Sequence, residues 1–201
     1  MRHAFLALAL LLLHSFAGPT PAAAQSCDPI HQDLRAVGLL DLGAPIDYLA
    51  VQGPYAYVSA EIGAADLHVV DLSDPAHPVL GAGIDAGSAA EHPVIEGRYL
   101  YLPAGTEGLV VIDLGDPADP VVRGSATPPD GYTYCVDVCG DHAYVADSGD
   151  GFHVFDVSDP DQPLLVASLY DLFTVDIEVV GDHAYVATGD EVVVVLSLIH
   201  I

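Results

Sequence analysis

The stretch VVDLSDPAHP at Val69–Pro78 returns as VIDLGDPADP at Val111–Pro120 and as VFDVSDPDQP at Val154–Pro163. Its strand-end aspartates, Asp71, Asp113 and Asp156, lie 42 and 43 residues apart. A second series, Tyr57, Tyr101, Tyr144 and Tyr185, sits in the phrases GPYAYVSA, GRYLYLPA, GDHAYVAD and GDHAYVAT with spacings of 44, 43 and 41. Two independent landmarks with one period define a repeated unit. A unit of that length cannot bury its own apolar faces and folds by stacking on its neighbours.

Each unit holds four short β-runs. In the third copy they are Tyr134–Cys139, His142–Ala146, Phe152–Val157 and Leu164–Leu169, rich in Val, Tyr and Phe and broken at Gly, Asp, Pro and Ser. Gly140-Asp141 and Gly181-Asp182 read as tight hairpin turns. No helical pattern intervenes. The unit is therefore expected to be a four-stranded antiparallel sheet, and a radial set of such sheets is a β-propeller, giving an all-β chain of about four blades. The recurring D-x-S/G-D-P-x-x-P reads as the corner between third and fourth strands. Its first Asp can accept hydrogen bonds from turn N–H groups, its first Pro pre-sets the turn dihedral, and its second Pro enters an outer edge where a missing N–H costs little. Prolines and strand flanks need this corner whether or not a ligand is present, so the Asp series reads as structural.

The phrases LVVIDLGDPADP and FHVFDVSDPDQP, with GDHAYVAD before the latter, resemble the LVIVD repeat of bacterial secreted and surface proteins over residues 37–195. The resemblance implies a β-propeller on an exported protein. It implies no activity and carries over no catalytic residue.

The N-terminus agrees with export. Arg2 and His3 precede the apolar run Ala4–Leu13, and small residues follow at Ala22 and Ala24, the pattern of a signal peptide cut before Gln25. The expected organisation is a signal peptide over 1–24, a linker over 25–33, propeller repeats over 34–195 and a non-native tail over 196–201. The tail breaks the pattern: a fourth copy opens at Glu191 with EVVVV and is followed by LSLIHI where the repeat demands an Asp corner. Two endings compete. The natural chain continues into further blades, or residues 34–43, which match a fourth strand, complete the last sheet of a four-bladed ring.

With 29 Asp and Glu against 4 Lys and Arg the net charge is −25. Nucleic acid and anionic membrane surfaces are thereby poor partners, and no stretch after the leader is long enough to span a bilayer. Acids spread along the whole chain suit a salty habitat; cation binding is the sharper alternative. Cys135 and Cys139, four apart in one strand, put their Cα atoms about 13 Å apart, beyond a disulfide.

In a propeller, function gathers on the face carrying the fourth-to-first connections and the second-to-third turns. Here that face displays Asp85, Glu91, His92, Asp130, Tyr132, Asp171 and Asp190 as candidate ligand residues. The turn DSGDG offers Asp147 and Asp150 as weak calcium candidates, since Ca²⁺ takes six to eight oxygens, although Asp and Gly are also standard turn formers. His92, beside Glu91, could serve as a general base, but no G-x-S-x-G, H-E-x-x-H or phosphate loop is present. Two classes of function follow. One is a non-catalytic exported platform binding a protein or glycan, without a cofactor unless calcium binds. The other is a propeller hydrolase or lyase around His92.

Overall fold

Runs of Val, Tyr, Leu and Ala alternate with Gly-, Pro- and Asp-rich breaks, and each run becomes a strand. The computed structural model describes residues 35–129, 131–149 and 151–196. The segments expected to be a signal peptide (1–24) and a linker (25–33), residue 34, Asp130, Asp150 and residues 197–201 lie outside the described residues. The chain from Val37 onward forms one compact unit, and the description below is confined to it.

Among the described residues there are fifteen strands and no helix. Blade 1 holds β1 (Tyr48–Gln52), β2 (Tyr55–Ile62), β3 (Ala65–Asp71) and β4 (Val79–Ile84). Blade 2 holds β5 (Val94–Glu96), β6 (Tyr99–Pro103), β7 (Leu109–Asp113) and β8 (Val121–Ala126). Blade 3 holds β9 (Thr133–Cys139), β10 (His142–Asp147), β11 (Gly151–Asp156) and β12 (Leu164–Leu169). Blade 4 holds β13 (Asp176–Val180), β14 (His183–Ala187) and β15 (Val192–Leu196). Every sheet is an antiparallel meander with strands in chain order. First strands of successive blades touch, β1 with β5, β5 with β9 and β9 with β13, so they line the common axis and the fourth strands form the rim.

The turn between first and second strands is the same device four times. Gly53, Gly97, Gly140 and Gly181 have φ of +58°, +59°, +60° and +59°. That is the first position of a II′ hairpin, which glycine occupies without steric cost. The second turn residue then ties down the corner: Leu72, Leu114 and Val157 donate their N–H to the carbonyls of Pro54, Arg98 and Asp141 at 2.7, 2.9 and 2.8 Å.

The corner itself is built as the sequence implied. Asp71, Asp113 and Asp156 accept through Oδ1 from the N–H of Ser73, Gly115 and Ser158 at 2.7, 2.7 and 2.9 Å. The second Asp of each corner repeats the move: Asp74, Asp116 and Asp159 accept from Ala76, Ala118 and Asp161 at 3.0, 3.1 and 3.0 Å. Side-chain hydrogen bonds from Ser73, His77 and Ser158, seconded by the backbone N–H groups of Ser73, Ala76 and Ser158, favour the ionised form and hold the carboxyls of Asp71, Asp74 and Asp156 below their ordinary range. A register shift between third and fourth strands follows in blades 1, 2 and 3, bending the rim strand as a β-bulge does.

Blades stack face to face. The tyrosine face of blade 1 (Tyr57, Leu67, Val69) packs on the opposite face of blade 2 (Leu100, Leu102, Ile112). Tyr101, Leu109 and Val111 of blade 2 pack likewise on Val145 and Phe155 of blade 3. Tyr144, Phe152 and Val154 of blade 3 pack on Ile177, Ala184 and Val186 of blade 4. Burial of such side chains contributes about 1.5–3 kcal/mol each and is the main force joining the blades.

Residues 34–43 were expected to form a rim strand. From Val37 to Leu42 the chain adopts no strand. It lies on blade 1, with Leu40 and Leu42 against Ala56, Val58 and Val70. Packing is supplied by the face below, but a strand also needs an edge to ladder with, and among the described residues no strand pairs with it.

Candidate functional site

The first strands and the connections leading into them bring the candidate residues of blades 1, 2 and 3 together. Glu91 enters β5 with its N–H donated to the Pro103 carbonyl at 2.9 Å, and Ser59 of β2 donates its hydroxyl to the Glu91 carbonyl at 2.9 Å. Tyr132, in the connection before β9, donates its hydroxyl to Glu91 Oε1 at 2.6 Å. That bond, followed by burial, pushes the Tyr132 phenol up to about 12. His92 is exposed, donates its backbone N–H to the Tyr134 carbonyl at 3.2 Å, and stacks its ring on Tyr48 with centroids 5.0 Å apart. Burial, with Glu91 and Asp47 next in weight, raises the Tyr48 phenol.

One blade further round, Cys135 Sγ donates to Asp176 Oδ1 at 3.1 Å, and burial together with that bond pushes the thiol up to about 12. A thiol held protonated is a poor nucleophile. Burial raises Tyr134 as well, with neighbouring Cys135 and Asp176 next in weight. The mouth is thus a continuous set of neutral phenols and a thiol facing carboxylates, with Glu61 and Asp47 adding negative potential at Tyr132. It can accept hydrogen bonds from a cationic or donor-rich group and offers aromatic rings for it to rest on.

The remaining candidates do not join this cluster. Asp85 is exposed and its Oδ1 accepts from the Gly87 N–H at 2.9 Å, closing a turn. Asp171 is exposed with φ +63°, a left-handed conformation that Asp tolerates better than most residues. Asp190 is exposed and, with Val175, Ala187 and Glu191, lines a shallow depression of about 380 Å³ beside blade 4. An apolar groove of about 240 Å³ runs over blade 1 between Leu40, Leu49, Val58 and Leu72. Neither concavity is lined by His92.

Asp147 was read as a displayed turn residue; it is wholly buried at the end of β10. Its Oδ1 accepts from the Gly149 N–H at 2.8 Å, its Oδ2 lies 3.6 Å from His153 Nε2, and Gly131 runs so close that a Cβ there would strike the carboxylate. His153, also fully buried, shares a 2.8 Å hydrogen bond between Nδ1 and Ser168 Oγ. Ser168, His153 and Asp147 thus form a brace across β10, β11 and β12. The three residue types are those of a hydrolytic triad, but a fully buried His reaches no substrate, and the three side chains tie neighbouring strands of blade 3 together. No group of three or more metal-ligating side chains occurs among the described residues.

Sequence reading named Glu91, His92 and Tyr132 but missed Tyr48, Ser59, Tyr134, Cys135 and Asp176. The signal was available: Tyr48, His92, Cys135 and Asp176 hold equivalent repeat positions, and equivalent positions on neighbouring first strands meet at the axis. The pairs Tyr48–His92 and Cys135–Asp176 are that rule made visible.

A profile described as the LVIVD repeat matches residues 47–85, 87–127, 130–171 and 174–196. No curated protein matches the chain. Among solved structures, the computationally designed Ika4 protein superposes with a TM-score of 0.60 at 14% identity, over 82% of this chain and 98% of that one. The designed Ika8 protein gives 0.58 at 13% identity over 75% and 45%. The β-propeller domain of Myceliophteria thermophila Cps50 (Swd1) gives 0.59 at 15% identity over 79% and 58%. At these identities the likeness is one of fold. No helix among the described residues is long and apolar enough to cross a membrane.

Proposed function

Because the chain belongs to the LVIVD-repeat family, we propose that it is an exported, non-catalytic binding platform whose axial mouth takes a cationic, donor-rich segment of a protein or glycan. Export rests on Arg2, His3 and the apolar run Ala4–Leu13. The observation that carries the binding role is the Tyr132–Glu91 hydrogen bond of 2.6 Å between two blades, beside the Tyr48–His92 stack. It fixes a carboxylate and three rings on a rigid floor, and pre-organisation of that kind lowers the cost of binding. A catalytic role would need a base and a nucleophile aimed at one point; here the phenol is engaged by the carboxylate and the thiol by Asp176.

The test uses a short arginine- and lysine-bearing peptide as probe, titrated by calorimetry at about 0.15 M salt so that long-range attraction to the acidic surface is screened. Glu91→Gln combined with Tyr132→Phe should weaken binding about tenfold, the scale of one charge-assisted hydrogen bond. Asp85→Asn, away from the mouth, should leave it unchanged. Equal losses from both would reduce the interaction to net charge, and turnover of ester or glycoside probes abolished by His92→Ala would replace the platform with the enzyme.

A further inference from the structure

His92 brings to the axial mouth the one side-chain type that ordinarily changes charge between pH 5 and 8. The other imidazoles among the described residues lie elsewhere. His77 sits in the corner of blade 1, and His68 and His153 are buried within β3 and β11. His142 and His183 open β10 and β14 at the hairpin end of their blades, paired with Cys139 and Val180.

The groups around His92 come from blade 1, from its own strand entry and from blade 3. Blade 1 supplies Tyr48, whose ring lies on the imidazole, with Asp47 beside it and Glu61 near Tyr132. Glu91 precedes His92 in the chain. Blade 3 supplies Tyr132, Tyr134, which accepts the His92 N–H at its carbonyl, and Cys135. Burial holds the Tyr48 and Tyr134 phenols up, the Glu91 hydrogen bond holds Tyr132 up, and burial pushes the Cys135 thiol up to about 12. Phenols and thiol therefore stay neutral between pH 5 and 8, a range in which carboxylates as a class stay charged. Over that range the cluster changes at His92.

The place of the imidazole gives that change a consequence. The His92 and Tyr48 rings are 17° from parallel with centroids 5.0 Å apart. A cation within about 6 Å of a ring centroid is drawn to the ring face. Protonated His92 is thus itself a cation on an aromatic ring next to a carboxylate, which is what the mouth offers an incoming ligand. Resting on the reading of the mouth as a site for a cationic segment, we propose that His92 is its acid-operated release switch. Neutral, the imidazole is part of the aromatic floor; protonated, it sets its own charge in place of the ligand's and expels the segment. Coupling of this kind is reciprocal. Affinity is full where the imidazole is neutral and falls as pH drops through its titration, and the bound segment makes His92 harder to protonate.

The probe is the arginine- and lysine-bearing peptide, titrated by calorimetry at about 0.15 M salt at about pH 8 and about pH 5.5, either side of the imidazole range. Affinity should fall about fivefold between them, the scale of one like charge at contact distance in water. His92 is exposed, so variants there fold. His92→Phe keeps a ring on Tyr48 and takes no proton; its affinity should be the same at both pH values. His92→Arg carries the charge permanently and should bind at the higher pH as weakly as the unsubstituted protein does at the lower. Followed by NMR, the His92 ring proton between the two nitrogens should titrate at lower pH with peptide bound than without it. Equal affinities at the two pH values, in a protein that binds the peptide, overturn the switch and leave the mouth reading standing. A fall that persists in His92→Phe also overturns it and assigns the effect to the acidic surface as a whole. Absence of binding at the higher pH overturns the mouth reading, and the switch with it.

Discussion

The peptide His-Ala-Tyr-Val-Ala occurs twice, at His142–Ala146 in blade 3 and His183–Ala187 in blade 4, each time after Gly-Asp. The backbone treats both alike: Tyr144 pairs with Val154 and Tyr185 with Val194 in the same antiparallel register. Tyr144 is nevertheless 1% exposed and Tyr185 41%. Identical residues in identical strands differ because one has a blade in front of it. Local sequence sets the strand and the turn, while the neighbouring blade supplies the free energy that makes the strand stable.

The sharpest way to break that comparison is to truncate both tyrosines. Tyr144→Ala should cost about 3–5 kcal/mol in urea unfolding, the range for large aromatic side chains removed from a core. Tyr185→Ala should cost less than about 1 kcal/mol. Equal losses would mean that Tyr185 is covered.

The residue after each peptide gives a smaller contrast. Asp147 is buried and accepts from the Gly149 N–H, so Asp147→Asn should cost about 1–3 kcal/mol. Its counterpart Thr188 makes a 3.2 Å hydrogen bond to the Glu191 carbonyl in an open loop, and Thr188→Val should cost under about 0.5 kcal/mol. Adding calcium to about 1 mM, within the weak range of extracellular sites, should change neither value. A calcium-dependent rise in melting temperature lost in Asp147→Asn would restore the metal reading of the DSGDG turn.

The smallest effect is that of acid on the corners, which blades 1 to 3 have and the described part of blade 4 lacks. Ser73 holds Asp71 low, Arg98 holds Asp113 low and Ser158 holds Asp156 low. A carboxyl whose folded value is depressed contributes stability that is complete above its unfolded value near 4. That contribution is lost as pH falls through the lower folded value. The near-ultraviolet dichroism of the tyrosine faces should therefore keep this contribution down to about pH 4 and lose it below. Asp156→Ala should blunt the acid transition; an unchanged transition would remove the corners from the account.

Much of this was legible in one dimension because it is local. The third copy's strands fall within a residue of the expected bounds, the rim strand Leu164–Leu169 matches outright, and Gly140-Asp141 turns as its residue types require. The axial site was legible only in part. Glu91 and Tyr132 were named separately, but their contact depends on how far one sheet is staggered against the next, which no short window of sequence records. Asp147 was misplaced for a related reason. A register shift between Ala146 and Asp147 lets Asp147 pair with Thr133 and lengthens β10 by one residue, carrying an apparent turn carboxylate into the interior.

The corner has a consequence for the order in which the molecule assembles. Its turn donors are satisfied by carboxylates two residues away, its carbonyl tie reaches only to the hairpin of the same unit, and every strand pairs with its sequence neighbour. Contact order is therefore low within each blade, and loop closure is fast. A blade can take shape as soon as its own residues have left the ribosome, with no distant segment to wait for. What it lacks at that moment is the face of the next blade, so the slow event is docking, repeated once per unit, and the growing arc always carries its instability at its newest end.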